Sequence, residues 1–338
     1  MSPTLGGSLG DGTGVLMLAA VQEGYGPPEV VKLREVSRPA PGSRDVLVKV
    51  HAAALNALDS HVLHFSPLFR LFFGWKRPKR PIRGVDVAGI VEAIGPEVTR
   101  FRPGDPVFGG APGAFAEYAV TPERALVAKR PELSFAQAAA LPVAGLTALQ
   151  GLRDIARVQP GQRVLIHGAG GGVGTFAVQI ARALGAHVTA VTGPRNLELV
   201  GSLGPDELID YSQEDFSKRG ERWDVVYDVA ATRSIGDCLR VLTPRGVLLK
   251  VGAPKDGRLL SVLAGMLGML IRRPFTRRRV PFFMAKSNPT DLGFLQDLVV
   301  QGKLRPAIER HYPLSEVVAA LRYVGSGQAR AKLIIDVA

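Results

Sequence analysis

Five glycines stand within seven residues near the middle of the chain, between a short apolar run and a segment of helical periodicity. They are Gly168, Gly170, Gly171, Gly172 and Gly174. The preceding run, Val164 to Ile166, is typical of a strand buried on both faces of a parallel sheet. Bare glycines let the amide N–H groups at a helix N-terminus approach a phosphate closely, and they let helix and strand pack together. A strand, a glycine turn and a helix in this order predict a site for a dinucleotide pyrophosphate.

The next predicted strand, His187 to Thr192, indicates which dinucleotide is bound. An NAD-preferring site places Asp or Glu at the end of this strand to bind the ribose 2′-OH, whereas here Thr192 and Gly193 occupy that end. Arg195 follows, with Asn196 beside it, and an arginine can donate charge-assisted hydrogen bonds to a 2′-phosphate. The pattern therefore favours NADPH over NADH. The alternative is that Arg195 is a solvated residue that opens the next helix.

Composition is that of a globular enzyme rather than a disordered or coiled-coil chain. The 338 residues are enough for two domains, and 46% are hydrophobic and 21% charged. A single cysteine, Cys238, excludes an internal disulfide and every multi-cysteine zinc site, and it favours a cytoplasmic location. Residues 1–14 lack the features of a signal peptide and are predicted to be a flexible tail. No apolar run approaches the roughly 18–20 residues that span a bilayer, so no transmembrane segment is predicted.

Two basic runs account for much of the net charge of +12. Six cations and no acid lie between residues 70 and 83, and five arginines lie between residues 272 and 279. Such charge attracts nucleic acid and anionic lipid non-specifically. Neither run has zinc-finger ligands or a recognition-helix pattern, and Pro78, Pro81 and Pro274 break helical continuity. We therefore predict a solvated basic face and no specific nucleic-acid partner.

The order of sequence patterns predicts an α/β protein with two domains. Residues 15–135 contain short strands separated by Pro-Gly turns, which is the pattern of an irregular β-barrel. Residues 136–285 alternate strands and helices, which predicts a doubly wound parallel sheet. Its strands are expected at residues 163–167, 187–192, 223–229 and 246–251, with a further strand near Arg279 to Phe283. The remaining residues, 286–338, are expected to form helices at 291–301 and 315–324 and a last strand at 332–337.

Residues 15–338 resemble the zinc-independent branch of the medium-chain dehydrogenase/reductase superfamily, the quinone oxidoreductase or zeta-crystallin-like group. The motifs that carry the resemblance are VLVKVHAAALNALD at 46–59, GVDVAGIVEAIG at 84–95, FRPGDPVFG at 101–109, LPVAGLTALQGL at 141–152 and the glycine turn. The resemblance implies a GroES-like catalytic domain at 15–135 and a Rossmann NADP-binding domain at 136–285. It also implies that residues 286–338 return to the catalytic domain.

The zinc-dependent relatives hold their metal with a Cys and a His-Glu pair that this chain lacks. Ala54 to Asn56 stands at the place of the Cys, and Val85-Asp86 stands at the place of the pair. Three histidines, His51, His61 and His64, remain as an alternative set of ligands but do not match the family's pattern. No metal site is predicted.

Without a metal, the catalytic groups are expected near the NxxD pattern formed by Asn56 and Asp59. By resemblance, Asn56 is a hydrogen-bonding neighbour of the nicotinamide and the substrate oxygen, where an amide donor stabilises developing negative charge. His61 is the candidate general acid, because an imidazole titrates near neutrality. The alternatives are that Asn56 and Asp59 cap the helix that starts near Ala57, and that His61 only lines a wall.

The residues predicted to contact the cofactor combine the glycine turn with positions assigned by resemblance. Thr147 is expected to approach the nicotinamide, and Tyr211 to flank the adenosine 2′-phosphate, unless Tyr211 is an ordinary aromatic at a strand end. The full set is Thr147, Gly168, Ala169, Gly171, Gly172, Val173, Gly174, Thr192, Arg195, Tyr211 and Gly252.

Taken together, the sequence predicts an NADPH-dependent, metal-free reductase of a quinone or an α,β-unsaturated carbonyl. Two alternatives remain open: a zinc-free alcohol or carbonyl dehydrogenase, and a non-catalytic NADPH-binding protein. The resemblance also implies a homodimer in which edge strands near Arg279 to Phe283 of two Rossmann domains pair.

Overall fold

The computed structural model describes residues 12–64, 70, 74–251 and 278–338, with the backbone alone at residues 12 and 13. These residues form two compact units. The first contains the described residues up to Pro142 together with Arg310–Gln328 and Leu333–Ala338, and the second contains Val143–Glu309 and Ala329–Lys332. The strands of the first unit are antiparallel, whereas the strands of the second are parallel.

The first unit is a β domain with short helices. Its strands are β1 (Gly12–Gln22), β2 (Val31–Pro39), β3 (Asp45–Leu55), β4 (Asp86–Ile94), β5 (Pro106–Gly110), β6 (Tyr118–Pro122) and β7 (Leu126–Ala128). Its helices are α1 (Ala57–Leu63) and α2 (Phe135–Ala140). β1 and β2 form a hairpin ribbon, and β3 pairs with both β4 and β6. β3 carries buried apolar side chains along most of its length, so it lies within the core of this unit.

The second unit starts within α3 (Pro142–Leu149), continues through a π-helical segment (Gln150–Ala156) and then forms a parallel sheet. The strands are β8 (Arg163–His167), β9 (His187–Thr192), β10 (Glu207–Asp210), β11 (Trp223–Asp228) and β12 (Leu242–Lys250). The helices between them are α4 (Gly172–Ala183), α5 (Leu197–Gly201) and α6 (Ile235–Arg240). Their spatial order is β10-β9-β8-β11-β12, so the strand order reverses between β8 and β11. This is the Rossmann order, in which a dinucleotide binds beyond the strand ends at that reversal.

The remaining elements follow after residue 278. They are α7 (Pro289–Val300), β13 (Ile308–Pro313), α8 (Val317–Gly325) and β14 (Lys332–Asp336). β14 pairs antiparallel with β3 in the first unit, as the predicted last strand requires. Short 3-10 turns cover Pro28–Val30, Glu123–Ala125, Pro194–Asn196, Phe216–Lys218 and Leu314–Glu316.

The predicted return to the catalytic domain at residue 286 comes too early, because α7 packs within the second unit. Leu295 of this helix is buried, and its side chain fills the space that Gly145 leaves open on α3. Asp291 accepts hydrogen bonds from Gln150 at 2.9 Å and Arg153 at 2.8 Å. The first unit also extends past the predicted boundary at 135, because α2 packs on β3 and β4 through its buried alanines.

The strand predicted near Arg279 to Phe283 is reduced to a single bridge. Arg279 pairs in parallel with Val247 of β12. Arg279 thereby takes the sixth position in the Rossmann strand order, next to β12. Pro281 follows two residues later and has no N–H to donate, so it cannot extend the ladder. The prediction of four strands before this point also missed β10, a four-residue edge strand with one buried side chain.

Candidate functional site

The glycine turn connects β8 to α4, and three of its glycines are required by packing inside the chain. Gly168 has φ +89°, and a Cβ there would lie 2.8 Å from the backbone nitrogen of Ala230. A Cβ at Gly174 would lie 2.1 Å from the carbonyl oxygen of Gly168, and one at Gly170 would lie 2.5 Å from Nδ2 of Asn196. Bare backbone at these positions lets the strand, the helix and the next loop meet closely.

Gly171 differs from its neighbours, because a Cβ there would be crowded by no described residue. A Cβ at Gly171 would meet only the carbonyl oxygen of Gly168, at 3.6 Å, and the backbone there is extended with φ −86°. The residue precedes α4, a helix of 12 residues whose first N–H groups have no partner within the helix. The open space therefore lies where an anion can receive those N–H groups, which fits a dinucleotide pyrophosphate.

The end of β9 carries the residues predicted to select the dinucleotide. Thr192 is buried, and Tyr211 donates its backbone N–H to the Thr192 carbonyl at 3.0 Å. The Tyr211 hydroxyl lies over Gly193, 2.7 Å from the place that a Cβ would take. Arg195 is exposed two residues beyond Gly193. The structure thus brings Thr192, Arg195 and Tyr211 to one edge. β9 itself ends without a carboxylate, and Asp210 of β10 is paired in register with Thr192.

Asn196 and Arg330 join this edge. The Oδ1 atom of Asn196 is buried and makes no hydrogen bond within the described residues, so it is an acceptor without a donor beside the glycine turn. Arg330, which precedes β14, donates to the Arg195 carbonyl at 3.2 Å and forms an ion pair with Glu309 at 3.0 Å. An orphaned acceptor and an oriented arginine are groups that a bound ribose or phosphate satisfies.

Three ionisable side chains, which we term the charged row, lie at the carboxyl ends of three adjacent strands, where the strand order reverses. His167, Asp228 and Lys250 are paired in register as the last residues of β8, β11 and β12. Nδ1 of His167 lies 2.9 Å from Oδ1 of Asp228, and Nζ of Lys250 lies 3.2 Å from its Oδ2. The Ala231 N–H donates to the same carboxylate at 2.9 Å, and Ala231 has φ +52°. The row therefore holds the loop that packs against Gly168.

Asp228 is fully buried, and its charge is maintained by these partners. Burial works to raise the pKa of its carboxyl group, but the hydrogen bond and charge of His167, the Lys250 ammonium and the Ala231 N–H outweigh it. The pKa of Asp228 is therefore lowered from its ordinary value. The carboxylate is the stable form at neutral pH.

Thr147 lies on α3, where its hydroxyl donates to the Val143 carbonyl at 2.6 Å. Its own carbonyl accepts from the Tyr227 hydroxyl at 2.8 Å, which ties α3 to the sheet. The donor hydrogen of Thr147 is thus engaged within its helix, and its hydroxyl oxygen keeps acceptor capacity. Gly252, also predicted to contact the cofactor, lies outside the described residues.

In the first unit, Asn56 ends β3 and precedes α1, and its amide is held by a buried carboxylate. Nδ2 of Asn56 donates to Oδ2 of Asp86 at 2.9 Å, and Asp86 is fully buried at the start of β4. The second Nδ2 contact, to the Ala54 carbonyl, is long at 3.4 Å. Ala54 and Asp86 are cross-strand partners, so the β3–β4 register brings Asn56 and Asp86 together.

Asp59 is buried and acts as a cap, as the alternative interpretation predicted for it. Its Oδ2 accepts the Asn56 backbone N–H at 2.8 Å, which satisfies a donor that α1 leaves open. The Arg83 guanidinium lies near this carboxylate and near Tyr25; burial lowers the pKa of Arg83, and these two groups raise it in part. Asp59 therefore fixes the start of α1 rather than presenting a free acid or base.

His61 lies near the end of α1, on the exposed side of the helix. Partial burial of its ring lowers the pKa of the imidazole, and the neighbouring His64 lowers it further. The neutral form of His61 is thus the resting form at pH 7. A proton donated by His61 must first be taken up from solvent.

Two family models match the chain: the alcohol dehydrogenase GroES-like domain over residues 42–132 and the zinc-binding dehydrogenase over residues 203–335. The chain is 34% identical to the chloroplastic quinone-oxidoreductase QR1 of Triphysaria versicolor, over 96% of this chain and 99% of that protein. The solved quinone oxidoreductase of Coxiella burnetii has a TM-score of 0.84 at 31% identity, covering 96% of this chain and 100% of that one. This chain belongs to the quinone oxidoreductase group of the medium-chain dehydrogenase/reductases.

Membership of this group confirms the GroES-like domain and the Rossmann domain, and it makes the protein an NAD(P)H-dependent oxidoreductase. A further relative is the 2-methylene-furan-3-one reductase of Solanum lycopersicum, which is 33% identical over 92% of this chain and 76% of that protein.

One matching family model is named for zinc binding, but the described residues contain no group of three or more metal-ligating side chains. The three histidines of the alternative ligand set have different neighbours. The His51 ring stacks on Phe135, with centroids 4.4 Å apart, whereas His61 lies in α1 and His64 caps its end. None of the helices within the described ranges is long and apolar enough to cross a membrane.

Several residues of this candidate site were not identified from the sequence. Asp86 was treated only as the replacement of a zinc ligand, although it holds Asn56. The charged row of His167, Asp228 and Lys250 had a local signal, since each residue ends an apolar strand. Arg330 had none, because it reaches Arg195 from 135 residues away.

Proposed function

We propose that this oxidoreductase uses NADPH to reduce quinones or α,β-unsaturated carbonyls without a metal. The observation that carries the cofactor preference is the end of β9, where Thr192 and Gly193 stand without a carboxylate and Arg195 is exposed beside Tyr211. A carboxylate there repels a 2′-phosphate, whereas an arginine and a tyrosine hydroxyl donate to it. Arg330 holds the Arg195 backbone in place through its carbonyl.

The pyrophosphate is assigned to the open space at Gly171, with the N–H groups of Gly172, Val173 and Gly174 as donors. Ala169 is buried beneath them and shapes the turn. When bound, a reduced nicotinamide supplies the hydride. The residues of the chain must then stabilise the charge that develops on the acceptor oxygen and deliver a proton.

Asn56 is the proposed donor to that oxygen. Its bond to Asp86 fixes the plane of the amide, and the long contact to the Ala54 carbonyl is the weaker of its two Nδ2 contacts. Exchanging this weak contact for an acceptor oxygen that gains charge is favourable, because a donor already oriented by the protein costs little to reorganise. His61 is the proposed proton donor; Asp59 positions both by capping α1.

Two grounds support the proposed acceptor class. Asn56 and His61 are the proposed catalytic groups and need no metal, and the names of the relatives point to such acceptors. Quinone oxidoreductases and a reductase of a conjugated furanone are among the proteins that this chain resembles. Both acceptor types place a carbonyl in conjugation with the carbon that receives the hydride. A single oriented amide donor can then stabilise the resulting enolate or hydroquinone anion.

The test measures oxidation of NADPH and NADH by a panel of quinones, enones and aldehydes. In parallel, it measures reduction of NADP⁺ and NAD⁺ by secondary alcohols. We expect turnover with quinones or enones and NADPH, no dependence on added zinc, and no loss after chelation. Turnover confined to alcohols would establish the dehydrogenase alternative. Cofactor binding without turnover of any acceptor would establish the non-catalytic alternative.

The cofactor preference is tested separately by calorimetry on Arg195→Ala. We expect NADPH affinity to fall by about 1–3 kcal/mol, because a charge-assisted hydrogen bond to the 2′-phosphate is lost, and NADH affinity to stay nearly unchanged. Arg245→Ala is the matched control, since Arg245 is an exposed arginine of the same unit. Equal losses of NADPH and NADH affinity in Arg195→Ala would contradict the proposed preference. Equal affinities of the native protein for NADPH and NADH would contradict it as well.

The predicted homodimer and the cytoplasmic location also remain proposals. In favour of the dimer, Arg279 lies at the edge of the parallel sheet, and Phe282 and Met284 beyond it are 79% and 76% exposed. Large apolar side chains in alternate positions beside a sheet edge are typical of a surface that pairs with a second copy. Light scattering should give a dimer that Phe282→Glu and Met284→Glu convert to monomer. A native monomer would contradict the shared sheet.

A further inference from the structure

Four unpaired cations lie on the loop of residues 74–80, which we term the basic loop. Lys76, Arg77, Lys79 and Arg80 are exposed, and none of their side chains has a hydrogen-bonding or ion-pair partner among the residues that the structure describes. No acid occurs between residues 70 and 83, where six of the chain's cations stand. Most surface cations of a folded protein have acids nearby, so a patch of one sign attracts anionic partners.

The basic loop is fixed at both ends, so its cations form a defined surface. Gly74 has φ +116°, donates its N–H to the Arg70 carbonyl at 2.8 Å, and accepts from the Tyr25 hydroxyl at 2.8 Å. At the other end, the Gln22 N–H donates to the Pro81 carbonyl at 2.8 Å. Pro78 is buried between the two pairs of cations. The loop therefore turns inward at its middle and leaves the charged side chains outside.

An exposed tryptophan and a cleft accompany these charges. Trp75 is 59% exposed, which is unusual for so large a side chain in a chain that buries its other described tryptophan, Trp223, completely. Beside it lies an open cleft of about 420 Å³, lined by Gly24, Tyr25, Arg70, Trp75 and Lys76. The Arg70 guanidinium lies 4.5 Å over the Tyr25 ring and forms one wall. The cleft offers cations and aromatic rings together.

We propose that the basic loop binds the surface of bilayers that contain anionic phospholipids. Cations near such a surface gain electrostatic attraction to lipid phosphates, and the gain accumulates over a cluster. A tryptophan prefers the depth of the headgroups, where its ring is apolar and its N–H remains hydrated. The cleft between Arg70 and Lys76 takes one phosphate headgroup. This surface is independent of the proposed reductase function, since none of its residues belongs to the cofactor or Asn56 sites.

The charge alone also attracts nucleic acid, but the geometry favours a bilayer. Non-specific binding of single strands uses several aromatic platforms along a groove, on which successive bases stack. The basic loop presents one exposed aromatic side chain, and its four cations surround a buried proline rather than line a groove. A cluster of this form matches a plane of phosphates.

The test is sedimentation of the full-length protein with vesicles of phosphatidylcholine alone and with vesicles containing about one third phosphatidylglycerol. We expect binding to the anionic vesicles only, and release when the salt rises from about 0.1 M to about 0.5 M, because the Debye length shortens. The variant Lys76→Gln/Arg77→Gln/Lys79→Gln/Arg80→Gln should weaken partitioning at least about 100-fold. Trp75→Ala should weaken it about 10-fold while the salt dependence remains.

The matched control removes the same amount of charge elsewhere: Lys32→Gln/Arg102→Gln/Arg245→Gln/Lys303→Gln. These four cations are also exposed and make no described side-chain hydrogen bond or ion pair, but they are scattered over the chain. The control should bind within about threefold of the native protein, because clustering rather than net charge drives the attraction. Thermal melting and NADPH titration of both variants establish that the fold is retained.

Three results would overturn the proposal. Equal weakening by the control would mean that net charge alone is responsible. Equal binding to phosphatidylcholine vesicles, or no binding to either, would remove the anionic surface as partner. Tighter binding of a single-stranded oligonucleotide than of anionic vesicles, abolished by the basic-loop variant, would assign the loop to nucleic acid instead.

Discussion

The glycine turn of the Rossmann unit and the start of α1 in the GroES-like unit are both ends of strands that lead into helices, but they are fixed in opposite ways. At the turn, the important groups are backbone N–H groups, and the glycines clear space for them. At α1, the important group is the Asn56 side-chain amide, and side chains hold Asn56 in place: Asp86 from β4 accepts from the amide, and Asp59 from α1 accepts the Asn56 backbone N–H. The first arrangement recognises an anion; the second orients a single donor.

This difference determines how each region tolerates change. A backbone site is insensitive to most side-chain substitutions but fails when a Cβ enters it. A site built from a buried amide and a buried carboxylate fails when either partner is removed, because the other is left unsatisfied. The charged row of His167, Asp228 and Lys250 shows that the Rossmann unit also uses side chains, one layer beneath the turn.

The largest effect is expected at that row. Asp228→Asn removes the carboxylate that pairs with His167 and Lys250, and breaking such a buried network should cost about 3–5 kcal/mol of unfolding free energy at pH 7, measured by urea denaturation. Because the folded pKa of Asp228 is lowered, its contribution is present above the unfolded value of about 3.9 and is lost as pH falls through the lower folded pKa. The native and variant proteins should therefore converge below about pH 4.

Glu97→Gln provides the comparison for a charge pair on the surface. Glu97 pairs with Arg44 in solvent, and its substitution should leave the unfolding curve nearly unchanged. An Asp228→Asn protein as stable as the Glu97→Gln protein would mean that the turn is held by its backbone alone.

A smaller but more specific effect is expected at Asn56. Asn56→Ala should lower kcat about 10- to 1000-fold with little change in NADPH affinity, because the donor acts on charge that develops in the transition state. Asp86→Asn is the matched variant, since two amides can still pair and keep Asn56 in place. Its kcat should stay within about tenfold of the native value. If Asp86→Asn loses as much activity as Asn56→Ala, the carboxylate itself takes part.

His61 is expected to give the smallest change at neutral pH. Its pKa is lowered, so the protonated form is scarce at pH 7 and increases only as pH falls below the ordinary value of about 6.5. If His61 donates the proton, kcat should rise with falling pH through this lowered pKa, and His61→Ala should flatten the profile. His64→Ala should preserve the profile and shift it slightly upward, since His64 lowers the pKa of His61. A native profile that stays flat would move proton delivery to solvent.

The sequence allowed the turn to be predicted well, because its signal is local: strand, glycines and helix follow one another within 21 residues, from Arg163 to Ala183. The Rossmann strands from β8 to β12 were likewise predicted, except β10, whose side chains are only partly buried. Asn56 and Asp59 were assigned to the candidate site by resemblance to the NxxD pattern of the zinc-independent group. Asp86, the partner of the Asn56 amide, was not identified, because it lies 30 residues away and is brought there by the β3–β4 register.

Predictions failed where distant packing overrode a local pattern. The segment from residue 286 was expected to return to the catalytic domain at once, but Leu295 and Asp291 hold α7 against α3 and the π-helical segment. The strand expected at Arg279 to Phe283 had the right place beside β12, and Pro281 limited it to one bridge. Neither the packing of α7 against α3 nor the single bridge at Arg279 can be predicted from the helical or strand periodicity of the sequence.

The most direct test of a bound dinucleotide compares two alanine substitutions in the glycine turn. Gly168→Ala forces a side chain into a backbone with φ +89° against Ala230, so it should lower the melting temperature of the free protein. Among the residues that the structure describes, and apart from its two chain neighbours, the Cβ of Gly171→Ala meets only the Gly168 carbonyl oxygen, at 3.6 Å; the backbone angles are ordinary, so the melting temperature should be unchanged.

The decisive measurement is NADPH affinity of Gly171→Ala by calorimetry. Its Cβ enters the space assigned to the pyrophosphate, so we expect binding at least about tenfold weaker, with the fold intact. A Gly171→Ala protein that binds NADPH as tightly as the native protein would contradict the placement of the pyrophosphate and, with it, the account of the cofactor site.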